Sequence, residues 1–493
     1  MSEEYKIRSQ KLRELRETNL DPYKNFFIPD SSSVEIKEKY KDIQPGEHIE
    51  KEHKIAGRIM TIRDFGSSAF FHIQDHTDKI QCFIEKRYDP KMLEFFKKYI
   101  DSGDLVGISG SIFRTKKGEI TIYTKSITML SKCLHPLPEK WHGLKDTETR
   151  YRNRHIDLIM NPEVKEIFIK RSKIISHIRN FLSERGFIEV ETPYLQPVPS
   201  GAFAKPFKTY HKELEMNLFL RIAPELYLKR LIIGGFDKVF EIGKNFRNEG
   251  ITSYHNPEFT MLELYQIYAN YNDLMKMTEE LLYDLAIKIN SEPILKLGEE
   301  KVKISIPFKR VSIPEKVSEI LGIPIEKLKD VKSLKEKING QIEIDSEDWG
   351  EIVLKIFEEK FTDSIREPTF VVDFPVSTSP LAKRRKDDPD YTERFELYIY
   401  GMEIANGFSE LNDPEDQRKR FEEQLKERKT REMLEDMDWD FVRALEYGMP
   451  PTAGEGIGID RLVMTLVGTN SIKEIILFPT MRPEQSTLRK VKD

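Results

Sequence analysis

The chain has 493 residues, 39% of them hydrophobic, which is too long for one compact core and apolar enough for two or three domains. Although 33% of residues are charged, the formal net charge is only -5, which excludes a global basic field and requires any nucleic-acid site to be local. No run approaches the ~18 apolar residues of a membrane span, the residues after Met1 lack an apolar signal core, and Cys82 and Cys133 have no metal-type spacing, so a cytoplasmic protein without zinc or disulfides is expected.

Ile7, Leu12, Leu15 and Leu20 make a weakly amphipathic helical arm within residues 1–52. From His53 to Ser131 five strands are predicted: Lys54–Ile62, Ala69–Gln74, Lys79–Ile84, Leu105–Phe113 and Glu119–Met129, with a helix at Pro90–Tyr99 between the third and fourth. That order suggests an OB-type barrel. Alternation points Phe71, Ile73, Ile80, Cys82, Ile84, Ile120 and Ile122 inward and leaves Phe70, His72, Gln81, Phe83 and Glu119 outward. Residues 132–150, with Pro136, Pro138 and Gly143, read as a linker into an α+β domain over 151–493 that carries an inserted segment around 270–390. A GxxxxGK[ST] phosphate loop is missing, so ATP chemistry needs another scaffold.

In the second domain, Ile167, Ile174, Ile175, Ile178 and Leu182 give an amphipathic helix over Val164–Arg185, ended by Gly186 and followed by a strand at Phe187–Val190. Such a unit alone is ordinary core structure. The next block is more specific: Arg221-Ile222-Ala223-Pro224-Glu225-Leu226-Tyr227-Leu228-Lys229-Arg230, then Val239–Ile242, Phe246-Arg247-Asn248-Glu249, His255-Asn256-Pro257-Glu258-Phe259 and Thr260–Tyr265. Two strands joined by a long loop place one fixed cation, Arg247, whose planar fork binds oxyanions bidentately. Phe259, Met261, Glu263 and Tyr265 share one strand face.

Arg394–Glu410 forms the third block. A two-residue turn at Tyr400-Gly401 would set Glu403 opposite Tyr398 and on the face of Glu396, a carboxylate pair suited to magnesium with phosphate oxygens, although a solvated hairpin gives the same pattern. Asn406, Phe408 and Glu410 have the other parity, so a bulge at Gly407 or a similar irregularity is needed if all line one pocket. In the last block, Gly454-Glu455-Gly456-Ile457-Gly458-Ile459-Asp460-Arg461, alternate glycines clear one strand face for a base and Arg461 opens a helix.

These blocks, in this order, resemble motifs 2 and 3 of the class II aminoacyl-tRNA synthetases, and nearly the whole chain, from the barrel to Arg482-Pro483, is similar to the lysyl-tRNA synthetases of bacterial type. The resemblance implies an antiparallel catalytic sheet flanked by helices, preceded by an anticodon-binding OB barrel, in a homodimer built on the Val164–Arg185 helix and the strand after it. It implies that Arg247 binds the α-phosphate and substrate carboxylate and that Arg461 joins it in catalysis. Glu249, His255, Phe259 and Arg461 would hold ATP, with Phe259 stacked on adenine, and Glu396 and Glu403 would hold Mg2+. For lysine it implies Gly201, Ala223, Glu225, Glu263, Tyr265, Asn406, Phe408, Glu410 and Gly456, with Glu225 on the α-amino group and Glu410 and Tyr265 on the ε-amino group. For the tRNA(Lys) anticodon it implies Arg63, Phe70, Gln81 and Glu119.

Aspartyl and asparaginyl enzymes are the near competitors; where the aspartyl family carries arginine, Glu410 presents the opposite charge, which selects an ammonium. A lysine ligase acting on elongation factor P lacks the barrel, and a catalytically dead tRNA-binding relative would not be expected to keep Arg247, Glu396, Glu403 and Arg461 together. Three departures stand out: Ser200-Gly201 in place of Gly-Gly, Tyr254 where some members have arginine, and the acidic Glu455 in an apolar slot, expected to point away from phosphate.

Overall fold

The computed structural model describes all residues except 1, 19, 25, 139–145, 203, 339, 341, 344, 431–436 and 485–493. The chain forms two compact units, Met1–Lys145 and Asp146–Asp493. The stretch read as a linker, 132–150, includes residues 139–145, which lie outside the described ones. Among the described residues no helix is long and apolar enough to cross a membrane.

In the first unit, strands His48–Asp64, Ser68–Gln74, Lys79–Glu85, Leu105–Arg114 and Ile120–Ser131 close a barrel in which the third strand runs parallel to the fifth. Helix Pro90–Tyr99 starts with Pro90 in its first turn and the Asp89 carboxylate accepting from the Lys91 and Met92 amides, and it sends Met92, Leu93 and Phe96 into the core. Phe71, Ile73, Ile80, Cys82, Ile84 and Ile122 are buried as alternation requires, while Ile120 is only half-buried at the strand start. The arm does not stand apart. Leu15 of helix Glu3–Glu17, Ile36 of helix Ser33–Lys39 and Tyr40 sink into the same apolar core as the barrel strands. Removing those side chains from water supplies the stabilisation that so short a pair of helices lacks alone.

The second unit is built on an eight-stranded sheet in the order Lys309–Ser312, Thr369–Val372, Arg394–Ile399, Met402–Ser409, Thr452–Gly458, Glu258–Ile267, Lys238–Phe246, Ile188–Glu189. Its six central strands are antiparallel to one another, and each edge strand pairs in parallel with the strand beside it. Helices Pro162–Glu184, Tyr271–Asn290 and Ile459–Val467 cover one face with Ile174, Ile178, Leu282, Leu285, Leu462 and Val463. The segment read as an insert around 270–390 is part of this framework: it contributes helix Tyr271–Asn290 and both strands at one sheet edge. Its short strands, four residues each, carry too little periodicity to be recognised before they pair.

Candidate active site

The face of the sheet opposite those helices lines a cavity of about 580 Å³. Strand Glu258–Ile267 presents Phe259, Met261, Glu263 and Tyr265 to it, as the period of two requires. Beside it, strand Thr452–Gly458 presents Gly454, Gly456 and Gly458. A Cβ on Gly454 would come within 2.3 Å of both the Glu410 carboxylate and the Tyr265 ring, so any side chain there would fill the floor.

Tyr400 and Gly401, with φ of 53° and 74°, form the tight turn between strands Arg394–Ile399 and Met402–Ser409. Glu403 therefore faces Tyr398. The irregularity needed to bring both parities into one pocket lies at Ile404, not Gly407: Leu397 pairs with Ala405 while Tyr398 pairs with Glu403, leaving Ile404 unpaired. Gly407 instead lets the Phe395 ring pack against the strand, where a Cβ would meet it at 2.7 Å. Beyond the bulge Glu396 faces Asn406, and Glu403, Asn406 and Phe408 all line the cavity.

Two arginines mark the other wall. The Arg247 guanidinium lies 5.1 Å from the Phe259 ring centroid, and its Nε is buried with no hydrogen-bond partner among the described residues, a donor suited to an anion. Burial lowers the Arg247 pKa, opposed by the carboxylates of Glu403, Glu249 and Glu263. Arg461, in the first turn of helix Ile459–Val467, donates 2.7 Å to the Glu403 carbonyl and 2.8 Å to His255 Nε2. His255 is held neutral by burial and by Arg461, so Nε2 accepts and Nδ1 is the donor toward the Thr252 hydroxyl, 2.8 Å away.

The acidic groups divide between wall and interior. Glu225 and Glu263 line the cavity; burial, and then the charge of Glu225, pushes Glu263 up to about 8, while its carboxylate accepts from Tyr265 at 3.2 Å. Glu396 and Glu410 lie behind the lining. Glu396 is gripped by Arg394 at 2.6 Å and the Tyr398 hydroxyl at 2.8 Å, and burial together with Glu403 raises it to about 7. The buried Glu396 and the partly exposed Glu403, repelling each other beside an open cavity, are a donor set that a hard dication would neutralise.

Of the residues expected for the site, Gly201, Ala223, Glu225, Arg247, Glu249, His255, Phe259, Glu263, Tyr265, Glu403, Asn406, Phe408, Gly456 and Arg461 share this cavity. Gly201 takes φ of 85°, and a Cβ there would stand 3.1 Å from that of Glu225. Tyr254 also lines it. Glu455 turns the other way: both its oxygens meet the Thr278 hydroxyl, at 2.7 and 2.8 Å, on the helix-covered face. Two groups escaped sequence reasoning. Arg221 and Glu241 form a buried 2.5 Å pair beneath the motif 2 strands, and Lys229 is buried between Glu225 and Glu410. The i,i+4 spacing of Glu225 and Lys229 on an otherwise apolar helix face was the available signal for the second.

On the barrel, Arg63 is exposed and lies opposite Phe70, whose ring is 4.5 Å from that of Phe83 and 6.1 Å from the exposed ring of Phe65. Glu119 is exposed, and His72 contacts it at 3.0 Å. Gln81 shares the outward face with His72 and Glu119 but is covered there. It is buried because its strand pairs with the fifth at Thr121, whose hydroxyl donates to the Gln81 carbonyl at 2.8 Å, while Nε2 reaches Glu119 at 2.7 Å.

The family described as tRNA synthetases class II (D, K and N) matches residues 146–482, and an OB-fold nucleic acid binding domain matches residues 53–130. The chain belongs to the class II tRNA synthetases. Within that family it is similar to the lysine–tRNA ligase of Carboxydothermus hydrogenoformans, 49% identical over 98% of this chain and 99% of the relative. It is 52% identical to that of Aquifex aeolicus over 87% of this chain and 73% of the relative, and 48% identical to lysine–tRNA ligase 2 of Methanosarcina mazei over 96% and 93%. The class II synthetase unit thus carries the cavity, and the OB barrel carries the outward aromatics.

Proposed function

We propose that the chain is a lysine–tRNA ligase: it activates lysine with ATP to lysyl-adenylate and transfers the lysyl group to tRNA(Lys). The observation that carries this reading is a single cavity with fixed cations, Arg247 and Arg461, on one wall and carboxylates, Glu225 and Glu263, on another, with Glu410 buried behind Gly454. A zwitterionic substrate with a second ammonium matches that polarity, whereas aspartate would set its side-chain carboxylate against buried acids.

The lysine carboxylate is ionised at neutral pH and needs no general base. Arg247 holds that carboxylate beside the α-phosphate, the carboxylate oxygen forms the new bond to phosphorus, and pyrophosphate leaves. The arginine is already in place, so its charge acts without reorganisation as the phosphate gains negative charge. Phe259 offers a stacking face for adenine, and Glu249, His255 and Arg461 bind the nucleotide. Glu396 and Glu403 are the residues that would hold Mg2+, which supplies charge neutralisation on the ATP phosphates. Glu225 and the Gly201 loop take the α-amino group, and Glu410 with Tyr265 takes the ε-amino group. Ala223, Asn406, Phe408 and Gly456 shape the pocket. In the second step a terminal ribose hydroxyl of the tRNA, the 3′ hydroxyl by class resemblance, attacks the lysyl carbonyl and AMP leaves.

The anticodon is assigned to Arg63, Phe70, Gln81 and Glu119 on the barrel, because an aromatic on an OB face stacks an unpaired base while carboxylate and amide groups read its edge. A homodimer through helix Pro162–Glu184 and strand Ile188–Glu189 belongs to the same proposal; the exposed Ile188 side chain supports it. Pyrophosphate exchange with each amino acid in turn tests the reading. Exchange is expected with lysine; exchange with aspartate or asparagine in its place would overturn it.

A further inference from the structure

Lys229 has no place in the mechanism above, yet it is among the most completely buried side chains of the protein. It projects from helix Glu225–Ile233 into the space behind the amino-acid pocket, with Nζ 2.5 Å from Glu225 Oε1 and in contact with Glu410 Oε2. Phe408 and Phe441 enclose it, their ring centroids 5.2 and 5.7 Å from Nζ. The helix places Glu225 and Lys229 one turn apart on one face, and the chain after strand Met402–Ser409 brings Glu410 to the same ammonium. The cation therefore sits between the two carboxylates assigned above to the two amino groups of the substrate.

We propose that Lys229 is a positioning residue for lysine recognition: its ammonium, shared by Glu225 and Glu410, favours the charged form of Glu410 and holds both carboxylates aimed for the α- and ε-amino groups of the substrate. The inference rests on that assignment of Glu225 and Glu410. The charges around the ammonium are Glu225 on its own helix, Glu410 after the neighbouring strand, and Glu263 with Tyr265 on strand Glu258–Ile267, beyond which lies the Arg221–Glu241 pair. Acids dominate this set. Without Lys229 the buried Glu410 carboxylate would lack its counter-charge in the empty pocket and would hold a proton to still higher pH, which the incoming lysine would then have to displace. Burial already raises Glu410 to about 8 against the opposing pull of Lys229, and the two carboxylates hold the Lys229 pKa above its ordinary value in spite of its burial.

The test is the lysine KM in pyrophosphate exchange by the full chain, measured against pH for the wild type, Lys229→Met, Lys229→Arg and Glu410→Gln. Titration of free lysine is common to all four and cancels in the comparison. Lys229→Met is expected to displace the profile to higher pH, so that lysine KM near neutrality rises about ten-fold for each unit of displacement while ATP KM stays unchanged. Lys229→Arg keeps the charge and is expected to follow the wild-type profile, which carries the test even where the methionine variant does not fold. A displaced profile in folded Lys229→Arg, or equal rises in both KM values of Lys229→Met at every pH, overturns the proposal and leaves Lys229 a packing residue. Glu410→Gln separates the two layers. If it leaves lysine KM unchanged, the assignment of Glu410 has failed; if it raises lysine KM while Lys229→Met superimposes on the wild type, only the role of Lys229 has failed.

Discussion

Arg461 donates one guanidinium hydrogen to His255 Nε2 at 2.8 Å and another to the Glu403 carbonyl at 2.7 Å, so a residue of the last motif clamps the motif 2 loop to the carboxylate-bearing hairpin. Three segments far apart in sequence are thereby held around one cavity before any ligand enters. Pre-positioned charge of this kind acts most strongly where water is excluded.

Arg247 is the cation whose loss has no substitute, since Arg461 is already committed to His255 and Glu403. Arg247→Ala is expected to reduce lysine-dependent pyrophosphate exchange by about 10²–10³-fold or more while the fold is retained. Exchange near the wild-type rate in a folded variant would remove Arg247 from the chemistry.

Glu403 and Glu396 repel each other, and that repulsion helps to raise Glu396 to about 7. A dication would compete with that proton. The Mg2+ concentration for half-maximal exchange is expected to fall as pH rises from about 6 to 8, and Glu403→Gln is expected to require more Mg2+ at every pH. A Mg2+ requirement identical in the variant and the wild type would move the metal elsewhere.

The Phe65, Phe70 and Phe83 rings form an aromatic patch on the barrel. Stacking of one anticodon base contributes about 1–3 kcal/mol, so Phe70→Ala is expected to lower kcat/KM for tRNA aminoacylation ten-fold or more and to leave pyrophosphate exchange intact. Loss of both activities with a lower Tm would mean that Phe70 serves only to pack against Phe83.

Glu455 is a buried acid whose hydrogen-bond partner is the Thr278 hydroxyl, and burial raises its pKa from 4.5 to about 8. The folded form holds its proton where the unfolded chain has lost it. Stability is therefore unaffected below 4.5, falls by about 1.4 kcal/mol per pH unit as pH rises toward 8, and levels off above. Glu455→Gln keeps the shape without the proton, so it is expected to gain stability over the wild type in urea unfolding at pH 8 and little at pH 4.5. An equal change at both pH values would show that Glu455 is not the titrating group.

By itself the sequence determined which faces each strand buries and which charged residues the catalytic blocks carry, because both are local: alternation sets side-chain direction in a strand, and the Tyr400-Gly401 turn sets the Glu403–Tyr398 register. It also separated a five-stranded barrel from the larger unit, since each has its own hydrophobic pattern. Tertiary structure alone decided the rest. The bulge fell at Ile404, while Gly407 stays paired and receives the Phe395 ring, a contact no periodicity encodes. Gln81 is covered because its strand pairs with Thr121, forty residues later in the chain. Along the sequence Lys229 is one charged residue of the Arg221–Arg230 block. It became a buried counter-ion only when the fold brought Glu410 to it from the chain after strand Met402–Ser409, since desolvation depends on what closes over a side chain and not only on its neighbours along the chain.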